Sequence, residues 1–222
     1  NEAGGKGFTV DTLKELQDSG IHYFTGGDHI YWQRGTEEII ETMPIVRPAN
    51  FPDDSTAPGV GSALIDTGRN GKVLLINLMG RTSFGGPFSY LDDPFKRADE
   101  IIEKYKNEKL AATIIDFHAE STSEKAVFGF YMDGKVTAVL GTHTHVPTCD
   151  NRVLPKGTMF VTDVGMTGCI DSSLGVKTDI VLKMFQTARF QKFEWEESGT
   201  KAFRSVLMDT ENHSIVRIDK II

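Results

Sequence analysis

The chain has 222 residues, 39% hydrophobic and 25% charged, with a formal net charge of −7. This composition describes a soluble globular chain with enough apolar material for one substantial core, so a single domain over residues 1–222 is expected. The acidic balance argues against a nucleic-acid-binding surface. It leaves room for a small anionic substrate whose charge is met locally by a metal.

In chain order, "TVDTLKELQDSG" predicts a short helix capped by Thr9 or Asp11, with Leu13 and Leu16 inward and Gly20 as terminator. "IHYFTGGDH" reads as a short apolar strand running into a Gly pair and a polar cluster, and "TEEIIETM" as a second short helix. The Pro- and Gly-rich "RPANFPDDSTAPGVGS" predicts a surface loop. "KVLLINLMG" is continuous enough in apolar character to be a buried strand, and "RTSFGGPFSYLDD" has no period and reads as a long loop. Phe95, Ala98, Ile101, Ile102 and Tyr105 recur at helical spacing and predict an amphipathic helix.

Beyond it, "AATIIDFHAE" predicts a strand, "STSEKAVFGFYMDG" a capped helix ending at Gly134, and "VTAVLGTHTH" another strand. "GTMFVTDVGMTG" repeats the pattern of an apolar strand entering a Gly-rich loop, and "KTDIVLKMFQTA" predicts a helix. "FQKFEWEE", "AFRSVLMD" and "SIVRIDKI" alternate as antiparallel strands do. Strand–helix alternation followed by a β-rich end implies an α/β class, with helices layered on sheet faces.

Cys149 and Cys169 are too few for a disulfide framework and read as free thiols of a reducing cytosol. No apolar run approaches the roughly 18 residues needed to cross a membrane. No signal peptide is visible, although the chain opens abruptly on "NEAGGKGF".

The chemistry collects at strand ends. "FTGGDH" places Asp28 and His29 after one strand, "IIDFHAE" places Asp116, His118 and Glu120 at the end of another, and "VLGTHTH" adds His143 and His145. Ligand sites in open α/β sheets lie outside the carboxyl ends of the strands, so four of six histidines fall where one site would gather them. His143 and His145, two apart on an extended segment, would point to one side. Imidazole with carboxylate suits Fe, Mn or Zn, and a dinuclear centre could clamp a phosphate between ions roughly 3.5–4 Å apart.

Asp116 reads as supporting or structural, and Glu120 as a cap of the following helix. His22 and His213 are assigned to structure or solvent. "TDVGMTG" (162–168) is a tight turn that either lines the site with amides or has no ligand at all. Arg47 and Arg81 are phosphate partners or packing residues. His145 is followed by Val146, Pro147 and Thr148 and not by the Asp-His of a β-lactamase-type site, and no HExxH string exists.

"GGDH", "RPANFP", "INLMGR", "DFHAESTSEK", "GTHTHVPT", "LPKGTMFVTDVGMTG" and "DSSLGVKTDIVLKMF" together resemble the YmdB-like family of calcineurin-type metallophosphoesterases, in order along the whole chain. The resemblance implies a β-sandwich flanked by helices and a dinuclear iron or manganese centre, with zinc as the alternative. It also implies hydrolysis of phosphodiesters such as 2′,3′-cyclic nucleotides, in a bacterial, cytoplasmic homo-oligomer. By position, His118 and His143 would serve one ion and His145 the other, with His29 as general acid.

Asp28 stands where the family pattern "GNH" has an Asn ligand, which adds negative charge beside the metals. Asn1 aligns with another Asn ligand. The bridging Glu and the "GD" strand that precede it in the family are not in this sequence, and Glu2 would need a one-residue shift to substitute. The expectation is therefore a fragment or, alternatively, a naturally truncated relative. A catalytically weak member acting as a regulatory or binding protein is the competing functional expectation.

Overall fold

The computed structural model describes residues 5–222. Helix α1 (Val10–Asp18) begins where the Thr9 hydroxyl accepts the Thr12 amide and Thr12 Oγ1 accepts the Thr9 amide, a reciprocal cap. Its Leu13 enters a small core with Phe8, Ile30, Ile40 and Ile45. Strand β1 (Phe24–Thr25) pairs in parallel with β2 (Ile45–Val46). Between them lies α2 (Thr36–Ile39), which tightens into a 3₁₀ turn over Ile40–Thr42 instead of continuing as one helix.

Strand β3 (Ser62–Asp66) runs antiparallel to β4 (Lys72–Met79), and it was not expected from sequence. It is an edge strand with no fully buried position, so it lacks the alternation that betrays a strand. The loop after β4 holds a 3₁₀ turn at Gly86–Tyr90. Helix α3 (Pro94–Lys104) starts on the Asp93 carboxylate, with Pro94 at the first helical position.

Then come β5 (Leu110–His118), α4 (Thr122–Met132, capped by Ser121), β6 (Ala138–Thr142), β7 (Arg152–Val153), β8 (Met159–Val161), β9 (Gly168–Cys169), α5 (Thr178–Thr187), β10 (Lys201–Asp209) and β11 (Ser214–Ile221). "FQKFEWEE" is not a strand: it makes a single bridge, Trp195 to Val176, and is otherwise largely exposed, with no sheet face against which to alternate.

The main sheet has the order β3-β4-β5-β6-β8-β7. Its central strands β4, β5, β6 and β8 are parallel, with antiparallel strands at both edges. Alternation sorts its side chains. Leu74, Ile76, Leu78, Ile115, Phe117, Val139 and Phe160 face Ala98 and Ile101 of α3 and Phe128 and Met132 of α4. On the opposite face Ala138, Met159 and Val161 meet Ile215, Val206 and Met208 of the second sheet, β11-β10-β9. Two sheets with helices outside make the layered sandwich expected.

Asn50, fully buried, ties the "RPAN" loop to the end of β4. It donates to the Met79 and Asp92 carbonyls and accepts the Met79 amide. Cys149 and Cys169 are both free. Among the described residues, no helix is long and apolar enough to cross a membrane.

Candidate metal centre

Because β5 and β6 are parallel neighbours in register from Ile114↔Ala138 to His118↔Thr142, their carboxyl ends finish side by side. β1 delivers Asp28 to the same edge. Asp28, His118 and His143 each offer one ligand atom, all within 4.8 Å of one another. His118 Nε2 lies 3.0 Å from Asp28 Oδ1, and His143 Nδ1 lies 3.1 Å from His118 Nε2 and 3.9 Å from Asp28 Oδ1. Sequence placed all three at strand ends, and the fold brings them together.

The outer hydrogen bonds decide which ring nitrogens face inward. Thr142 has one hydroxyl proton, which it donates to Asp116 Oδ1 at 2.7 Å. Its oxygen, 3.0 Å from His118 Nδ1, therefore accepts from that nitrogen. Neutral His118 thus turns a bare Nε2 lone pair toward Asp28. On the other side, Glu120 Oε2 sits 3.1 Å from His143 Nε2 and accepts its N–H, which leaves Nδ1 as the bare nitrogen. Three lone-pair atoms then converge with no donor among them. N, N and O donors with oriented outer partners fit a divalent metal.

Charge and burial favour the ligating forms. Burial pushes the Asp28 carboxyl up, and the His118, His29 and His143 imidazoles more than offset it, leaving it below its ordinary value. Burial draws His143 and His145 down, toward neutral imidazoles with free lone pairs. Asp116 is buried and pushed up by that burial, against which the nearby His118 and the hydroxyls of Thr25 and Thr142 pull.

The remaining expectations divide. His145 is not among the three converging donors. β6 ends at Thr142, and His143 and His145 have φ of 104° and 66°. The pair therefore does not lie on an extended segment pointing one way. Asn1, the other expected ligand, lies outside the described residues, as does Glu2. His29 is adjacent to the group, its Nε2 3.5 Å from Asp28 Oδ2 and its ring packed edge-on against Trp32. Glu120 does not cap α4, because Ser121 does. Asp116 acts through Thr142.

Arg47 is spent on the Pro58 and Pro48 carbonyls and the Phe51 ring. Arg81 is exposed, and its backbone amide donates to Glu124. His22 and His213 are exposed, as expected. In "TDVGMTG" the Met166 amide donates to the His145 carbonyl and Asp163 bonds Thr144.

Two contributors were not legible in the sequence. Phe84 covers the donors, with ring centroids 4.9 Å from His143 and 6.3 Å from His118, and its loop is pinned where the Arg81 and Thr82 amides donate to Glu124. Gly27 leaves room for the His118 ring: a Cβ there would lie 2.6–2.8 Å from Cε1, Nε2 and Nδ1. Gly27→Ala is accordingly expected to lower Mn²⁺ affinity by about tenfold or more, read by calorimetric titration. Unchanged affinity would contradict this packing.

A two-sheet α/β sandwich with imidazole and carboxylate donors at the carboxyl ends of its parallel strands defines the calcineurin-like metallophosphoesterase fold. The sequence model of the YmdB-like protein family matches residues 1–221, and the chain belongs to that family. It is 43% identical over 225 residues to the 2′,3′-cyclic-nucleotide 2′-phosphodiesterase of Bacillus subtilis, covering 100% of this chain and 82% of that protein. A putative phosphatase/phosphodiesterase of Mycoplasma genitalium is 34% identical, covering 100% of this chain and 78% of its own length. The crystal structure of a novel phosphatase from Mycoplasma pneumoniae superposes with a TM-score of 0.85 at 32% identity, covering 99% of this chain and 78% of that one.

Proposed function

We propose that this chain is a metal-dependent phosphodiesterase acting on a small phosphodiester such as a 2′,3′-cyclic nucleotide. The observation that carries the reading is the convergence of Asp28 Oδ1, His118 Nε2 and His143 Nδ1 as three inward lone pairs. The Bacillus subtilis relative supports the substrate class.

Asp28, His118 and His143 would hold one ion, with His145 and Asn1 assigned to a second, iron or manganese in either place. Bound ions supply positive charge to the phosphoryl oxygens and a source of nucleophile at neutral pH. Thr142 and Glu120 hold the His118 and His143 tautomers, so neither ring must reorient when charge arrives. Phe84 keeps bulk water off one side of the donors, which strengthens their electrostatics.

His29 is the general acid that protonates the leaving oxygen. Burial lowers its proton affinity and the Asp28 carboxylate raises it, burial being the larger. The edge-on Trp32 ring fixes its plane. The chain works as one domain, in the cytoplasm, within a homo-oligomer.

Hydrolysis of 2′,3′-cAMP and bis-p-nitrophenyl phosphate should require Mn²⁺ or Fe²⁺, and His145→Ala should reduce kcat/KM by about 10²-fold, on the scale of losing a metal ligand's contribution. A loss under tenfold would remove His145 from the centre. Elemental analysis tests the competing binding-protein reading: two metal equivalents per chain support catalysis, and none or one supports a non-catalytic role.

A further inference from the structure

Helix α4 buries Lys125, Phe128, Gly129 and Met132, so a lysine occupies one position of its core-facing stripe. Its Nζ lies 2.8 Å from Asp163 Oδ2, with the two side chains 1% and 2% exposed. The same carboxylate oxygen accepts the Thr144 amide at 3.0 Å and the Thr144 hydroxyl at 2.9 Å, and Oδ1 accepts the Gly165 amide at 2.8 Å.

Thr144 is the residue between His143 and His145, both held at positive φ. Non-glycine residues keep such backbone only where their surroundings over-determine it. Here the surroundings are the loop after β8: the Val164 amide donates to the Gly141 carbonyl, the Met166 amide to the His145 carbonyl, and the Thr148 amide to the Asp163 carbonyl. The one side chain in this loop that reaches Thr144 is Asp163, and Lys125 balances its charge away from water.

We propose that Asp163, neutralised by Lys125, is a positioning residue that anchors Thr144 and so sets the two flanking imidazoles for the phosphodiester chemistry. This rests on the metal-centre reading above. Among the described residues the Asp163 carboxylate bonds Lys125, Thr144 and Gly165 and not a histidine ring. It acts through the amide and hydroxyl of Thr144, which distinguishes it from Thr142 and Glu120, whose contacts are with the rings themselves.

Three variants test the inference in the full chain. Thr144→Val keeps shape and amide but loses the hydroxyl donor, Thr144→Ser restores that donor, and Asp163→Glu keeps the buried charge opposite Lys125 while moving the anchor by one methylene. Co²⁺ titration followed by visible absorption should show affinity falling about tenfold in Thr144→Val and 10- to 100-fold in Asp163→Glu, with altered band positions, and Thr144→Ser within about twofold of the parent. In the metal-free proteins, amide hydrogen exchange at residues 143–145 should accelerate about tenfold or more in Asp163→Glu.

Parent-like Co²⁺ affinity, spectrum and exchange in Thr144→Val and Asp163→Glu would overturn the inference while leaving the metal centre intact. Failure of the unaltered protein to bind Co²⁺ or Mn²⁺ would overturn both. If Asp163→Glu does not fold, the Thr144 pair decides.

Discussion

His118→Ala is expected to abolish metal-dependent hydrolysis, with kcat/KM falling about 10³-fold or more, equivalent to about 4 kcal/mol of transition-state stabilisation. His118 is where the site's interactions meet. Its Nε2 faces both Asp28 and His143, and its Nδ1 is held through Thr142 by a buried carboxylate. Removal leaves two of the three converging donors and an Asp116–Thr142 pair with no ring to orient.

Two measurements separate loss of the centre from loss of the fold. Manganese saturation should raise the melting temperature of the unaltered protein, by an amount equivalent to about 2.7 kcal/mol at a hundredfold excess over Kd, and a chelator should remove that gain. His118→Ala should melt at one temperature with or without metal. The exposed His22 and His213, changed to Ala, should leave rate and metal response unaltered. A His118→Ala protein that retained a tenth of the activity would end the present assignment of the centre.

Gly141→Ala should be the most damaging glycine-to-alanine change among the described residues. β6 and β8 approach so closely there that a Cβ would lie 1.7 Å from the Thr162 carbonyl oxygen and 2.6 Å from its carbon. These are backbone atoms flanking the β6–β8 ladder, and the Gly141 carbonyl itself receives the Val164 amide at 2.9 Å, so neither side can yield without breaking pairing. A cost above about 3 kcal/mol follows from forced overpacking, a large part of the ordinary 5–15 kcal/mol stability of a domain. Thermal unfolding of the metal-free protein should show a drop of about 6–12 °C, or no soluble protein at all. A change within about 2 °C would mean that the strands are not this close.

The two predictions act at opposite ends of one device. The approach at Gly141 seats the loop after β8 against the loop after β6, and that seating brings Asp163 to Thr144. The His143 ring then reaches His118 across the ends of adjacent parallel strands. Damage at Gly141 should therefore also weaken metal binding in whatever protein remains folded, whereas damage at His118 should leave the sheet intact.

Much of this was written locally. Continuous apolar runs announced β4, β5 and β6, since strands buried on both faces need no polar alternation. The helical recurrence of Phe95, Ala98, Ile101, Ile102 and Tyr105 announced α3, a cap and the terminating Gly134 announced α4, and the polar clusters after β1, β5 and β6 marked one edge as the place of chemistry. The residue types there, imidazole and carboxylate without thiolate, already limited the chemistry to hard and borderline cations. Lys125 was also visible in principle, as a charged residue on an otherwise apolar helical stripe, though its partner 38 residues away was not.

Tertiary structure alone decided the rest, because each feature depends on contacts distant in sequence. Asp28 and His118 are 90 residues apart, and only the strand order makes them neighbours. Nothing in "GTHTH" marks the point where β6 stops, since histidine is at home in a strand and tolerates a left-handed turn when its amides and carbonyls are gripped from outside. The grip comes from residues 163–166. Glu120 could as well have capped a helix, until the packing of α4 against the sheet left that task to Ser121 and turned Glu120 toward His143. Residue chemistry and local periodicity named the donors. The register of parallel strands, fixed by burial on both faces of the sheet, determined which of them meet.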